Sequence, residues 1–269
     1  MIHPTAVIHP KAQIDATCIV GPYAVIDAGV VLGPGCVVGP HVHLTGQMTA
    51  GANNRFHSGC VLGDAPQDMK YDGAPTRLRL GEDNVFREHV TVHRSNKLAE
   101  ETVIGSHNLL MAHSHVGHNT VLGDHNILAN GVLLAGHVEV GDRAVLSGNA
   151  LVHQFCRVGS LALMQGGAAI TKDLPPFCLA RHGVNRLCGL NAVGLRRAGV
   201  SAEQRLQLKA LYHVLFRSGH TAGQIVQIVQ EGVSEFPDGC VRQMMDFIAA
   251  SKRGICTSAR HAEEAEEAE

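Results

Sequence analysis

His113-Ser114-His115-Val116-Gly117-His118, followed by His137 and His153-Gln154, gathers imidazoles in one part of the chain. An imidazole titrates near neutrality, which suits a general base. Three imidazoles and a water could equally hold a catalytic zinc, and spacing alone decides nothing when ligands can come from two chains. A second polar group, Gln67-Asp68-Met69-Lys70-Tyr71, lies in a stretch rich in Pro, Gly, Asp and Lys.

The histidines need a scaffold, and the sequence spells one out. From Ile104 to Ile170 every sixth residue is apolar: Ile104, Leu110, Val116, Leu122 and so on through Met164. Small or β-branched residues such as Ser114, Thr120, Val132, Ala144 and Cys156 stand four places after these leads. Neither a helix nor an alternating strand has period six. A six-residue repeat is the mark of a β-solenoid, one short strand and a corner per repeat. The same phase runs from Ile2 to Leu62 and resumes at Leu80, Phe86 and Val92. It breaks at 63–79 and 94–102, and loops leaving a rigid scaffold often carry function.

The phase also sorts side chains by direction. With the lead and small columns facing inward, none of the fourteen His in the phased segments points into the coil. His107, His113, His115, His118, His125 and His137 therefore stand outside. Leu133, Val145, Leu151 and Leu163 also face out, which points to an intersubunit surface. Cys18, Cys36, Cys60 and Cys156 fall in the small column, where a Cys acts as a compact hydrophobe. No C-x-x-C pair suggests a structural zinc.

After Pro175-Pro176 the period disappears. Ser201-Ala202-Glu203-Gln204 reads as a capping box opening a helix that Gly219 ends. Thr221-Ala222-Gly223-Gln224 opens a second helix, Pro237-Asp238-Gly239 marks a turn, and a third helix covers Val241 to Lys252. The organisation expected is a β-solenoid over 1–190, a helical domain over 191–256 and a disordered acidic tail over 257–269.

Composition narrows the function. Twenty-two basic residues against 24 acidic ones, with no Trp, leave no footprint for nucleic acid. No apolar run reaches the roughly 18–20 residues of a membrane span, and the N-terminus lacks a signal peptide's regions. The chain reads as cytoplasmic.

Taken together, the residues resemble the bacterial UDP-N-acetylglucosamine O-acyltransferase family. The resemblance rests on the hexads and Gln67–Tyr71; on Asn108-Leu109-Leu110-Met111 leading to His115 and His118; and on Leu134-Ala135-Gly136-His137 and Val152-His153-Gln154-Phe155-Cys156. Asp173-Leu174-Pro175-Pro176, Gly189-Leu190-Asn191 and Gly194-Leu195-Arg196-Arg197 add to it. It implies a left-handed parallel β-helix with a helical C-terminal domain, a homotrimer with sites between subunits, and no cofactor or metal. The implied reaction moves a 3-hydroxyacyl chain from acyl carrier protein to the 3-position of UDP-N-acetylglucosamine, the first step of lipid A synthesis.

By resemblance His118 is the general base, and the Gly136 N–H stabilises the oxyanion. Asp68 and Lys70 hold the sugar, with His115 and His137 beside them. His153, Gln154, Asn191 and Arg197 surround the nucleotide and acyl end, and Gly166 sits at the acyl-length position, where the lack of a side chain should leave the groove open. Three positions depart from the family's pattern. Asn119 stands where some members have Asp, Ala198 where a third basic residue is frequent, and Arg181–Arg186 differs from the common Gly-Asn-His type. A sister N-acyltransferase usually carries an extra N-terminal domain, for which hexads starting at Ile2 leave no room. A hexapeptide zinc enzyme and a purely structural solenoid are the other readings weighed.

Overall fold

The computed structural model describes residues 1–232 and 239–258. Residues 1–190 contribute mostly two- to four-residue strands that wind into a parallel β-helix with three sheets, of ten, eight and eleven strands. Up to the strand Ala168–Ile170 each sheet takes every third strand, so successive turns of the coil serve as the crossovers that parallel pairing requires; beyond it Cys178–Ala180 and Arg186–Leu190 pair antiparallel. The register is regular: His115 pairs with Leu133, and Leu133 with Leu151.

The inward columns are those the phase selects. From Val20 onward every lead residue is buried, whereas Ile2, Ile8 and Ile14 are partly open because the first turn has a neighbour on one side only. Cys18, Cys36, Cys60 and Cys156 are buried free thiols. Burial pushes Cys60 up to about 12, out of reach of thiolate chemistry at neutral pH.

The small column also carries an unexpected polar ladder. Asn54, Asn84, Asn108 and Asn126 are buried one above another. Asn84 donates both its backbone N–H and its side-chain amide to Asn54 Oδ1, and Asn108 does the same to Asn84. A corner of the coil thereby satisfies backbone groups that would otherwise be stranded inside.

Corner geometry accounts for many of the histidines. At many of the corners the residue three places after the lead takes a left-handed conformation, including His41, His89, His107, His113, Asn119, His125 and His137. Asn and His tolerate this region better than most residues. Their rings then stack from turn to turn, His89 on His113 at 5.2 Å and His107 on His125 at 4.7 Å.

Both breaks are narrower than the period suggests. Strands Val61–Asp64 and Arg77–Leu80 leave 65–76 as the first excursion. Strands Thr91–His93 and Glu101–Ile104 leave 94–100 as the second. Arg94 ties the two together. It donates to Gly63 O at 2.8 Å and to Tyr71 Oη at 3.1 Å, and the Tyr71 hydroxyl in turn donates to Ala74 O.

Among the described residues four helices follow: α1 (Ala192–Arg197), α2 (Ala202–Arg217), α3 (Ala222–Gly232) and α4 (Cys240–Ala249). The Ser201/Gln204 capping box is present at α2, and Thr221 and Gln224 exchange bonds before α3. Helix α1 has no periodic signal in the sequence; Asn191 caps it by accepting from the Gly194 N–H. Helix α4 stops short of Lys252. Thr257–Ser258, in the stretch expected as tail, pairs in parallel with Arg186–Leu187. Pro237, Asp238 and the acidic residues 259–269 lie outside the described residues.

The helical part is clamped to the last turns by one buried carboxylate. Asp173, 1% exposed, accepts from Arg157 Nε and Nη2 at 3.0 and 2.9 Å and from Ser251 Oγ at 2.9 Å. The Arg157 guanidinium lies over the Phe247 ring of α4, 4.2 Å from its centroid.

Candidate active site

His118, Gly136 and Gln154 occupy the same place on successive turns, two residues past their leads Val116, Leu134 and Val152. All three stand on the corner between the ten- and eight-stranded sheets, with His153 beside Gln154. A groove of about 540 Å³ runs along this corner, lined by His93, His115, His118, Gly136, His153 and Gln154. Its floor changes character along the coil. The outward residues in register on the ten-stranded sheet are Thr91 and His115, then Leu133, Leu151 and Ala169. Polar groups thus lie at one end of the groove and an aliphatic track at the other.

Gly136 has the closest approach in the site. A Cβ there would stand 2.7 Å from both Cε1 and Nε2 of His118, so only glycine lets the ring lie against this backbone. The Gly136 N–H has no acceptor among the described residues, leaving a donor free beside the imidazole.

Asn119 holds the other face of His118. Its Oδ1 lies 2.8 Å from His118 Nδ1 and accepts the Asn96 N–H at 3.0 Å. Its Nδ2 donates to Ser95 Oγ at 2.9 Å and to Glu100 Oε2 at 2.5 Å. An amide with its nitrogen on a carboxylate and its oxygen on an N–H has one sensible orientation. The His118 Nδ1 must therefore carry a proton, so in the neutral ring Nε2 is the nitrogen with the lone pair.

Neighbouring imidazoles are kept neutral. Burial, with His93 and His118 beside it, pushes His115 down to about 4, and its Nδ1 is hydrogen-bonded to Thr91 Oγ1 at 2.7 Å. Burial likewise lowers His93, whose ring meets that of His115 edge-on at 4.9 Å. Burial and then the charge of His118 lower His137, which stacks on Phe155.

The excursions bring the polar groups. Asp68 reaches the site from the first one, held by Asn96 Nδ2 at 2.8 Å. Donation from the Lys70 N–H, then from Asn96, keeps its carboxyl below the usual carboxylate range. Lys70 itself is exposed beside it. The second excursion supplies Ser95, Asn96 and Glu100, which the period flagged only as an interruption.

Three expected site residues lie elsewhere in the single chain. Gly166 is on the corner between the eleven- and ten-stranded sheets, where a Cβ would meet only Gly148 O, at 3.5 Å. Asn191 caps α1, and its Nδ2 donates to Leu161 O at 2.9 Å, so both ends of its amide are engaged. Arg197 is exposed at the end of α1. His107, His113 and His125 belong to the corner stacks. Among the described residues, the one group whose possible metal-binding atoms converge is Glu82, Asp83 and His107, away from the groove. The groove histidines form no such set.

A parallel β-helix of six-residue repeats with imidazoles along one corner defines the class of hexapeptide transferases, and the family comparisons bear this out. Residues 11–46 and 101–136 match the model described as bacterial transferase hexapeptide (six repeats). Residues 173–256 match the second domain of UDP-N-acetylglucosamine O-acyltransferase. The chain is 44% identical over 255 residues to the acyl-[acyl-carrier-protein]–UDP-N-acetylglucosamine O-acyltransferase of Anaeromyxobacter sp. (strain Fw109-5), covering 94% of this chain and 98% of that one. It is 39% identical to the protein of the same name from Thermodesulfovibrio yellowstonii, covering 95% and 98%. The solved Francisella novicida UDP-N-acetylglucosamine acyltransferase superposes with a TM-score of 0.91 at 35% identity, covering 97% of this chain and 96% of that chain. The chain belongs to the UDP-N-acetylglucosamine O-acyltransferase family.

Proposed function

We propose that the chain moves a 3-hydroxyacyl group from acyl carrier protein to the glucosamine 3-position of UDP-N-acetylglucosamine, the first step of lipid A biosynthesis. The observation that carries the reading is the pairing of His118 with Gly136 at the head of an aliphatic groove. It couples a base whose Nε2 is free to a backbone donor beside it, with an apolar track for the chain being transferred.

His118 Nε2 takes the proton of the sugar hydroxyl as that oxygen attacks the thioester carbonyl. The carbonyl oxygen becomes an oxyanion, and the Gly136 N–H donates to it, a role that requires no side chain. The intermediate collapses with loss of the carrier thiolate, which takes the proton back from the imidazolium. The bond formed is the sugar ester and the bond broken is the thioester. Neutral His115 and His137, together with Asp68 and Lys70, position the sugar. His153, Gln154, Asn191 and Arg197 serve the nucleotide and acyl end.

In this reading the enzyme works as a homotrimer in the cytoplasm, with Gly166 of a neighbouring copy bounding the acyl groove. No helix among the described residues is long and apolar enough to cross a membrane. The test is a direct assay with purified protein, hydroxyacyl carrier proteins of several chain lengths and acceptor sugars bearing a 3-hydroxyl or a 3-amino group. His118→Ala should lower kcat by about 10²–10⁴ with the melting temperature unchanged. A variant that keeps more than about a tenth of wild-type kcat while correctly assembled rules out His118 as the base.

A further inference from the structure

Where an Asp beside the base would put a negative charge directly on its ring, this chain has an amide. The charge sits one group further out. Asn119 is 7% exposed and spans the gap, with Oδ1 on His118 Nδ1 and Nδ2 on Glu100 Oε2. Glu100 is in turn held by Lys97 Nζ at 2.9 Å. That bond, and then the Asn119 amide, keep its carboxyl ionised below the usual Glu range. Ser95 reinforces the arrangement. Its hydroxyl donates to Lys97 O, so its oxygen is left to accept from Asn119 Nδ2.

We propose that Glu100 is a positioning residue for catalysis, acting through Asn119, and that the pair does the work of a single carboxylate on His118. The proposal rests on His118 being the base. Glu100 polarises the amide so that Oδ1 becomes a stronger acceptor for the His118 Nδ1–H. This fixes the tautomer that leaves Nε2 free, and it favours the imidazolium formed during transfer. Other charged or titratable groups face His118 from the surrounding elements: Asp68 from the first excursion, His93 and His115 along the groove, and His137 on the next turn. None of these bonds to Nδ1.

The amide relay makes a prediction that a purely structural glutamate would not. Glu100→Gln preserves an acceptor for Asn119 Nδ2 but removes the charge. It should lower kcat about 5- to 10-fold, the difference between a charge-assisted and a neutral hydrogen bond, with KM for UDP-N-acetylglucosamine unchanged. Asn119→Asp alone would put a second carboxylate where Nδ2 now meets Glu100 Oε2 at 2.5 Å, and two carboxylates that close cannot both ionise easily. Combined with Glu100→Gln, it returns one charge to the pair, directly on the imidazole.

The experiment compares kcat and KM for Glu100→Gln, the double variant Glu100→Gln/Asn119→Asp and His118→Ala, with melting temperature measured for each. Nitrogen-15 NMR of the wild-type histidines reports the His118 tautomer. Support is a drop in kcat for Glu100→Gln, recovery to at least about half of wild type in the double variant, and an Nδ1–H signal. Wild-type kcat in Glu100→Gln, a loss that the double variant does not relieve, or an Nε2–H tautomer overturns it. Substantial activity in His118→Ala would instead remove the base assignment beneath it, so the two failures are told apart.

Discussion

Gly136 lies on the turn directly after His118, with its missing Cβ 2.7 Å from the imidazole Nε2. The contact is steric, since Gly136 is not among the residues with positive φ. An added methyl therefore strains the ring position and leaves the backbone conformation allowed. Gly136→Ala should lower kcat by about 10²-fold or more, because misplacing a reacting group by about 1 Å costs that much. The melting temperature should drop by no more than about 4 °C. Assay and thermal melt on one preparation check both. An alanine variant with wild-type kcat would show that the ring is not confined by this glycine.

His115 gives the fold a pH signature. Its pKa is held at about 4, against about 6.5 in the unfolded chain. Between those values the unfolded state binds more protons, so stability rises with pH across the window and is lost as pH falls from 6.5 towards 4. The upper bound is on the order of 3 kcal/mol. Denaturant melts of wild type and His115→Asn at pH 7 and pH 5 test it. The variant should lose less stability on acidification. Equal losses would place the sensitivity in other groups.

These two residues show what the sequence could and could not reveal. Period six separates inward from outward columns, and that was enough to put His115 and His118 on the surface of a coil. It could not distinguish among outward positions. His107, His113 and His125 share the left-handed corner column with His137, yet only His137 reaches the site. His93 immediately follows a lead, and its burial depends on surrounding structure that no periodicity encodes. Ser95, Asn96 and Glu100 were hidden for a related reason. They act through a loop whose path is set by Arg94 and Tyr71, not by a repeat. The winding sense is also beyond the period, since six residues per strand and corner fit either hand; the left-handed reading came with the family resemblance. Asn119 was legible as a departure, but its partners were not.

The clamp between coil and helices depends on Asp173. Its carboxylate accepts from the Arg157 side chain and backbone and from Ser251, in a place with almost no access to water. Removing one member of a buried pair leaves the other charge poorly compensated, which costs about 3–5 kcal/mol. Asp173→Ala should be destabilised by that amount in urea unfolding. Because the carboxylate ties the coil to Ser251, just past α4, and holds the Arg157 side chain that donates to Phe247 O of α4, the helical signal should melt before the β signal in circular dichroism. A cost below about 1 kcal/mol would show that Arg157 finds a substitute partner or water.

The outward face of the eleven-stranded sheet carries the last prediction. Val85, Leu109, Ile127, Val145, Leu163 and Leu179 follow one another in register, an aliphatic stripe with no polar interruption. A stripe of this kind has the character that an association surface requires. Assembly would also explain why Gly166, Asn191 and Arg197 stand at a distance from His118 along the single chain: a shared site takes them from a neighbouring copy. Light scattering should give about three times the 28.6 kDa chain mass. Leu163→Glu places a charge in the middle of the stripe, and a charge cannot be buried there without a partner. The variant should run as a single chain, keep its β signal because Leu163 faces away from the coil interior, and lose at least about 10²-fold in kcat. A wild-type chain that is monomeric at micromolar concentration, or a monomeric Leu163→Glu chain with full activity, would sink the shared-site arrangement.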